Sequence, residues 1–245
     1  MTDSIELLHG GEAADFIDAL CTEALAHPAV HHPFLTRLGE GDFEDVPGVL
    51  RDYAHQYSIY SAWFTRYLDG VISNLDNPNH IAALMENMEE EKGVPGSDKP
   101  EERPHVVLFQ EFKDMIGADE NYCENTPACT TVLLWRDLFL QKCRSAIPGV
   151  GLAAIGLGTE FIISSIYPSL VEAIESHTDL GRDGSLFFRL HVECDEGHAD
   201  TVKHVTEEVA QDLACREAIR FGVFSSLNLR KAFWDAQLAR ALQIH

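Results

Sequence analysis

The stretch SAIPGVGLAAIGLGTEFIISSIYPSLV, residues 145–171, is the most apolar part of the chain and carries one charged residue, Glu160. Pro148, Pro168 and four glycines interrupt it, and Glu160 divides it. Its longest unbroken apolar portion therefore falls short of the ~20 residues that a membrane span needs. The stretch reads as a core helix, and within such a core Glu160 is a physical problem. Burying an ionised carboxylate costs on the order of several kcal/mol unless a cation or hydrogen-bond donors accompany it. Its neighbours Ala154, Ile155, Leu157, Phe161, Ile162 and Ile163 offer none. Compensation has to come from elsewhere in the fold: a metal ion, a distant arginine or a proton.

Outward from this segment the periodicity is helical almost everywhere. In residues 12–26 the apolar positions Ala14, Ile17, Leu20, Cys21 and Ala24 recur three and four apart, marking one buried face. Residues 47–75 start at Pro47 and run through Val49, Leu50, Tyr53, Tyr57, Tyr60, Phe64 and Leu68 in the same manner. Further helices are expected over 81–92, 105–116, 127–146, 152–178, 184–211 and 216–242. The segment 94–104, with three prolines and a glycine, reads as a loop. No run alternates with period two between turn dipeptides, so strands find no support. The 245 residues are expected to form a single all-α domain, residues 1–245, of about seven to nine helices.

Charge and cysteine content narrow the function. Eighteen basic residues face 40 acidic ones, a formal charge of −22. A surface so negative repels phosphate backbones and anionic lipid headgroups, which excludes nucleic acid and membranes as partners. The opening MTDSIELLHG has neither a basic nor an apolar region of a secretory signal, so a cytoplasmic location is expected. Its six cysteines form no C-x-x-C pair and read as packing thiols rather than disulfides or a zinc site.

Two histidines and an acid share the segment Leu190-His191-Val192-Glu193-Cys194-Asp195-Glu196-Gly197-His198. At about 100° per residue, Asp195 lies about 40° from His191 and His198 about 20° away on the other side. The three side chains project from one stripe, a donor set suited to iron, manganese or zinc. Glu86, Glu89, Glu90 and Glu91 crowd the end of the preceding 81–92 helix, and His105 opens the next one beyond the loop. At most one or two of these acids can point inward. Glu90, His105, Glu160, His191, Asp195 and His198 are thus the candidate ligands. Three carboxylates and three imidazoles suit two iron ions bridged by carboxylates better than one.

These residues resemble the haem-oxygenase-like diiron oxidases and oxygenases, related to para-aminobenzoate-synthesising and pyrroloquinoline-quinone-biosynthesis-like proteins. The likeness rests on Glu90-Glu91-Lys92-Gly93, then His105-Val106-Val107-Leu108-Phe109, then Glu160 in a small-residue apolar helix, then His191, Asp195 and His198. It spans residues 45–210. One departure is the fifteen positions between Glu90 and His105, which leaves Glu90 and Glu91 as alternative ligands. The resemblance implies a haem-oxygenase-like helical bundle, a homodimer, and two iron ions of which the second is weakly held. It implies an O2-dependent oxidation of a small molecule, a free amino acid or a medium-chain fatty acid, and the acidic exterior without membrane signals tilts the expectation toward an amino-acid derivative. Tyr57, Tyr60, Phe64 and Phe161 are expected to line the substrate cavity. The alternatives are a metal-free enzyme on the same fold (cofactor-biosynthesis oxidase or thiamin-salvage type) and a non-catalytic interaction protein. A ferritin-like diiron protein built on Asp52-x-x-His55 and Asp195-x-x-His198 ranks below them.

Overall fold

The computed structural model describes residues 3–97, 99 and 102–245, with backbone alone for 193–198. Among the described residues there are thirteen α-helices and no strand. They are α1 (Ala13–Leu25), α2 (Pro33–Gly39), α3 (Val46–Ser61), α4 (Phe64–Ile72), α5 (Pro78–Lys92), α6 (His105–Met115) and α7 (Glu120–Asn125). There follow α8 (Thr130–Cys143), α9 (Val150–Ile155), α10 (Ile163–His177), α11 (Gly181–Gly184), α12 (Leu186–Ala210) and α13 (Leu213–Ala241). The fold is all-α and haem-oxygenase-like, as expected.

The helix count exceeds seven to nine because two long periodic stretches are broken and short helices lie between others. Residues 47–75 divide into α3 and α4 at Ala62 and Trp63, although no proline or glycine stands there. Tertiary contacts make that break. The Trp63 ring is held between the guanidinium groups of Arg66 and Arg136, each 4.6 Å from its centre. The Tyr67 hydroxyl donates to the Tyr60 carbonyl (3.0 Å), helping to satisfy the helix end. Residues 152–178 break between α9 and α10, where the chain makes a 3-10 turn, Glu160–Ile162. Two backbone bonds there span five residues, Gly158 N–H to the Ala153 carbonyl and Phe161 N–H to the Gly156 carbonyl, each 2.9 Å. Such widened turns recur where helices serve a site. Gly156 and Gly158 are needed there: a Cβ on Gly156 would stand 2.2 Å from Val202 Cγ1, and one on Gly158 2.8 Å from Ser226 Cβ. The helices α12 and α13 thus press directly on the break that carries Glu160.

The Val150–His177 segment has the length and hydropathy of a membrane span, yet 83% of its most apolar window is buried in the fold. It is the core element that its sequence predicts. Around it α13 packs against α9, and α10 against α12 and α2. Trp135, Trp234, Tyr53, Tyr60, Tyr67 and Tyr167 are among the largest side chains wholly withdrawn from solvent. Among the described residues five cysteines are free thiols.

Candidate metal centre

Three helices deliver the centre. In α5, Leu84, Asn87 and Met88 are buried, and Glu91 continues that face at i+7, i+4 and i+3. Glu90, one residue and about 100° away, is exposed. Gly93 ends α5 at φ +68°, and a Cβ there would meet Pro104 N at 2.4 Å. This close passage sets the start of α6, and hence His105, beside the end of α5. From α12 comes His191. One ligand atom each from Glu91, His105 and His191 lie within 4.8 Å of one another.

The details favour an ion among these atoms. His105 Nδ1 stands 2.9 Å from Glu91 Oε1 but is not aligned to donate a hydrogen bond to it or to any other described group. Two donor atoms each ~2.1 Å from one ion, at right angles, are about 3 Å apart. The Nδ1–H of His191 donates to the Phe187 carbonyl (2.7 Å). A carbonyl only accepts, so the neutral ring carries its lone pair on Nε2, the tautomer that a ligating histidine needs. Burial pulls the His105 pKa down, but the Glu91 carboxylate in close contact with it and the charge of Glu90 outweigh it and leave it raised.

Glu160 faces the same cavity, whose volume is about 330 Å³. Its side chain is 5% exposed. Asn87 Nδ2 donates to its Oε1 (2.8 Å), while Oε2 has no hydrogen-bond partner. Burial, with a smaller contribution from the Glu91 charge and against the Asn87 hydrogen bond, pushes this carboxyl up to about 8. No arginine or lysine pairs with it among the described residues, which removes the salt bridge from the three forms of compensation open to it. The donor set that converges, the imidazoles of His105 and His191 and the carboxylate of Glu91, fits a first-row metal ion; Glu160 is not among these three and adds a buried, unbonded oxygen to the wall of the same cavity.

Of the other expected residues, Tyr57, Tyr60 and Phe64 line the cavity. Phe161 does not; it follows Glu160 in the 3-10 turn, so its side chain is turned about 120° away and packs on the core. The side chains of Asp195 and His198 lie outside the described residues, although α12 runs unbroken through both positions. Asp52 and His55 are committed elsewhere. Arg240 holds Asp52 through Nε (2.6 Å) and Nη2, and His55 Nε2 donates to the Thr126 carbonyl (2.7 Å). That pair is a structural clasp, which counts against the ferritin-like alternative. The sequence reading passed over Asn87, a polar residue one turn from Glu91 on an otherwise apolar face. That placement was the available signal.

Residues 51–231 match the family described as iron-containing redox enzymes. This chain belongs to that family. Over 226 residues this iron-containing redox enzyme is 22% identical to 4-chloro-allylglycine synthase of Streptantibioticus cattleyicolor, covering 91% of this chain and 83% of that protein. Its fold is that of a solved Shewanella denitrificans domain with a haem-oxygenase-like fold (TM-score 0.69, 17% identity, 98% and 94% of the two chains). A solved TenA homologue from Pseudomonas syringae pv. tomato is similar too (TM-score 0.71, 13% identity, 93% of each chain). At these identities the two structures speak for the fold alone. The family is one of iron enzymes, and the Glu91, His105 and His191 donors are of a kind that could hold such an ion.

Proposed function

We propose that this protein is a non-haem iron oxidase or oxygenase that uses O2 to oxidise a small, amino-acid-derived molecule. The observation that carries the reading is the convergence of Glu91, His105 and His191 on a cavity that also holds the buried, half-bonded Glu160. Glu91, His105, His191 and Glu160 would hold the metal, and Asp195 and His198 are the ligands proposed for a second ion. When bound, iron supplies the electrons and the open positions at which O2 is reduced.

The protein's own groups prepare that chemistry. Asn87 orients Glu160, and the Phe187 carbonyl orients the imidazole of His191. Glu160 holds a proton in the metal-free protein and releases it when a cation takes its place. Tyr57, Phe109, Ile163, Tyr167 and Phe187 give the cavity an apolar wall that excludes water around the oxidised carbon. The Tyr57 and Tyr167 hydroxyls bond to each other (3.0 Å), one donating to the other, which leaves a single O–H of the pair as a donor for the substrate. Amino-acid chemistry is favoured over fatty-acid chemistry by the 4-chloro-allylglycine synthase relative.

Anaerobic titration of ferrous iron into metal-free protein tests the reading, followed by O2 uptake with free amino acids and medium-chain fatty acids. Iron uptake is expected in the parent protein and is lost in Glu91→Ala, His105→Ala and His191→Ala. Unchanged iron stoichiometry in all three variants, with helicity retained, would overturn it.

A further inference from the structure

We infer that Lys113 and Gln110 form the subsite for the charged head of the substrate, an α-amino acid carboxylate and ammonium, at the end of the cavity away from the metal ligands. The inference deepens the function proposed above and rests on it for the identity of the oxidised end. His105, Phe109 and Lys113 recur every four residues along α6, and all three border the cavity. Four-residue spacing stacks side chains on one helix face. The cavity wall along this helix therefore passes from metal donor to apolar ring to cation. Eight residues of helix rise about 12 Å, so Lys113 stands about that far along α6 from His105.

The Lys113 carbonyl accepts from the Ala118 amide (2.8 Å), but its side-chain ammonium has no hydrogen bond or ion pair with any described residue. In a chain with 40 acidic residues against 18 basic ones, a cavity lysine without a carboxylate stands out. The other lysine bordering the cavity, Lys92, is paired with Glu89 (3.0 Å). One turn back along the same face, Gln110 Nε2 donates to Asp114 Oδ1 (2.8 Å). A carboxylate only accepts, so this bond fixes the amide and leaves the Gln110 carbonyl oxygen as the acceptor offered to a ligand. An anion acceptor and a cation acceptor thus sit three residues apart on one rim, with the Asp114 charge behind the second. At ~30 Å³ per water-sized group, about 330 Å³ holds about ten non-hydrogen atoms. That is the size of an amino acid with a four- to five-carbon side chain, head on the rim and chain along Phe109 toward His105.

Calorimetric titration of the full-length metal-free protein with L-norleucine, hexanoate and hexan-1-ol tests the subsite without any turnover. L-Norleucine is expected to bind at least about tenfold more tightly than hexan-1-ol, a difference set by the head group alone. Lys113→Met should weaken L-norleucine and hexanoate about tenfold and leave hexan-1-ol within twofold, while Lys113→Arg keeps L-norleucine within about threefold. Gln110→Leu should weaken L-norleucine and spare hexanoate. The inference is overturned if Lys113→Met leaves L-norleucine within twofold, if hexan-1-ol binds as tightly as L-norleucine, or if neither acid binds. Iron titration of Lys113→Met keeps the two proposals apart: normal iron uptake with lost L-norleucine binding supports the subsite. Absence of iron uptake in the parent protein overturns the function proposed above and not the binding result.

Discussion

Replacing Glu160 by glutamine in the metal-free protein keeps the side-chain shape and an acceptor for Asn87 while removing the titration. In the parent protein the carboxyl moves from its ordinary 4.5 in the unfolded chain to about 8 in the fold. Between these values the native state binds the proton and the unfolded state does not, so stability falls as pH rises through the window. Below 4.5 both states are protonated, and above about 8 both are ionised, so the loss is complete there. At 1.36 kcal/mol per pH unit, the full interval amounts to at most ~5 kcal/mol. Water entry and local adjustment around Oε2 reduce this to about 2–3 kcal/mol. For a chain of this size each kcal/mol moves Tm by about 2–4 °C, so the parent should lose roughly 5–10 °C relative to Glu160→Gln between pH 5 and pH 8.5. Thermal melts of chelator-treated proteins, followed by circular dichroism across that range, measure the difference. Other titrating groups cancel between the two proteins. Ferrous iron should then stabilise the parent and leave the variant little changed. A Tm difference that stays constant across the range would refute the burial argument on which the reading of Glu160 depends.

Four further outcomes follow from the geometry. Glu91→Ala should weaken iron binding by at least about tenfold, while Glu90→Ala leaves it within a few-fold; equal losses by iron titration would return the choice between the two acids to open. Gly93→Ala places a side chain at φ +68° against Pro104. It should cost about 1–3 kcal/mol in denaturant melts and lower iron affinity through displacement of His105. Arg230 is 1% exposed, none of its three nitrogens has a hydrogen-bond partner, and its guanidinium lies 5.1 Å from the centre of the Trp135 ring. Arg230→Met should therefore raise stability, by about 1–4 kcal/mol, and a lower Tm would show that the aromatic cage holds the cation favourably. Asp52→Asn should lower stability by about 1–3 kcal/mol by releasing Arg240, with iron uptake unchanged; loss of iron would revive the ferritin-like alternative.

The helical class was readable because each long helix repeats its apolar face, as Ala24, Leu20, Ile17 and Phe16 do in α1. The breaks were not, because the end of α3 depends on Trp63, Arg66 and Arg136 meeting across the fold, a tertiary event with no local signal. Helices α2 and α7, of seven and six residues, are too short to display a period. At the centre, His105, Glu160 and His191 were legible as chemistry out of place: an acid in an apolar run, imidazoles at a helix start and on a helix stripe. Glu91 was legible in principle, since Leu84, Asn87 and Met88 fix the rotation of α5 and only Glu91 continues that face. Adjacent glutamates look alike to composition and differ only in phase. Phe161 failed by the same rule, one residue out of phase with Glu160. Lys113 and Gln110 carried no sequence signal, because a lysine and a glutamine on a surface helix are ordinary until a cavity is seen beside them.

The segment joining α5 to α6 is closed at its root. The Val94 amide meets the Glu102 carbonyl at 2.6 Å, and Gly93 nests against Pro104. Whatever the chain does beyond that root, the acid and the imidazole on either side stay where they are. Insertions or deletions at the tip should accordingly be neutral for iron, since lengthening a surface loop adds only about 0.6 kcal/mol per doubling. Among distant relatives the number of residues between acid and imidazole is then free to drift, and a pattern search with a fixed gap would pass over chains that build the same centre.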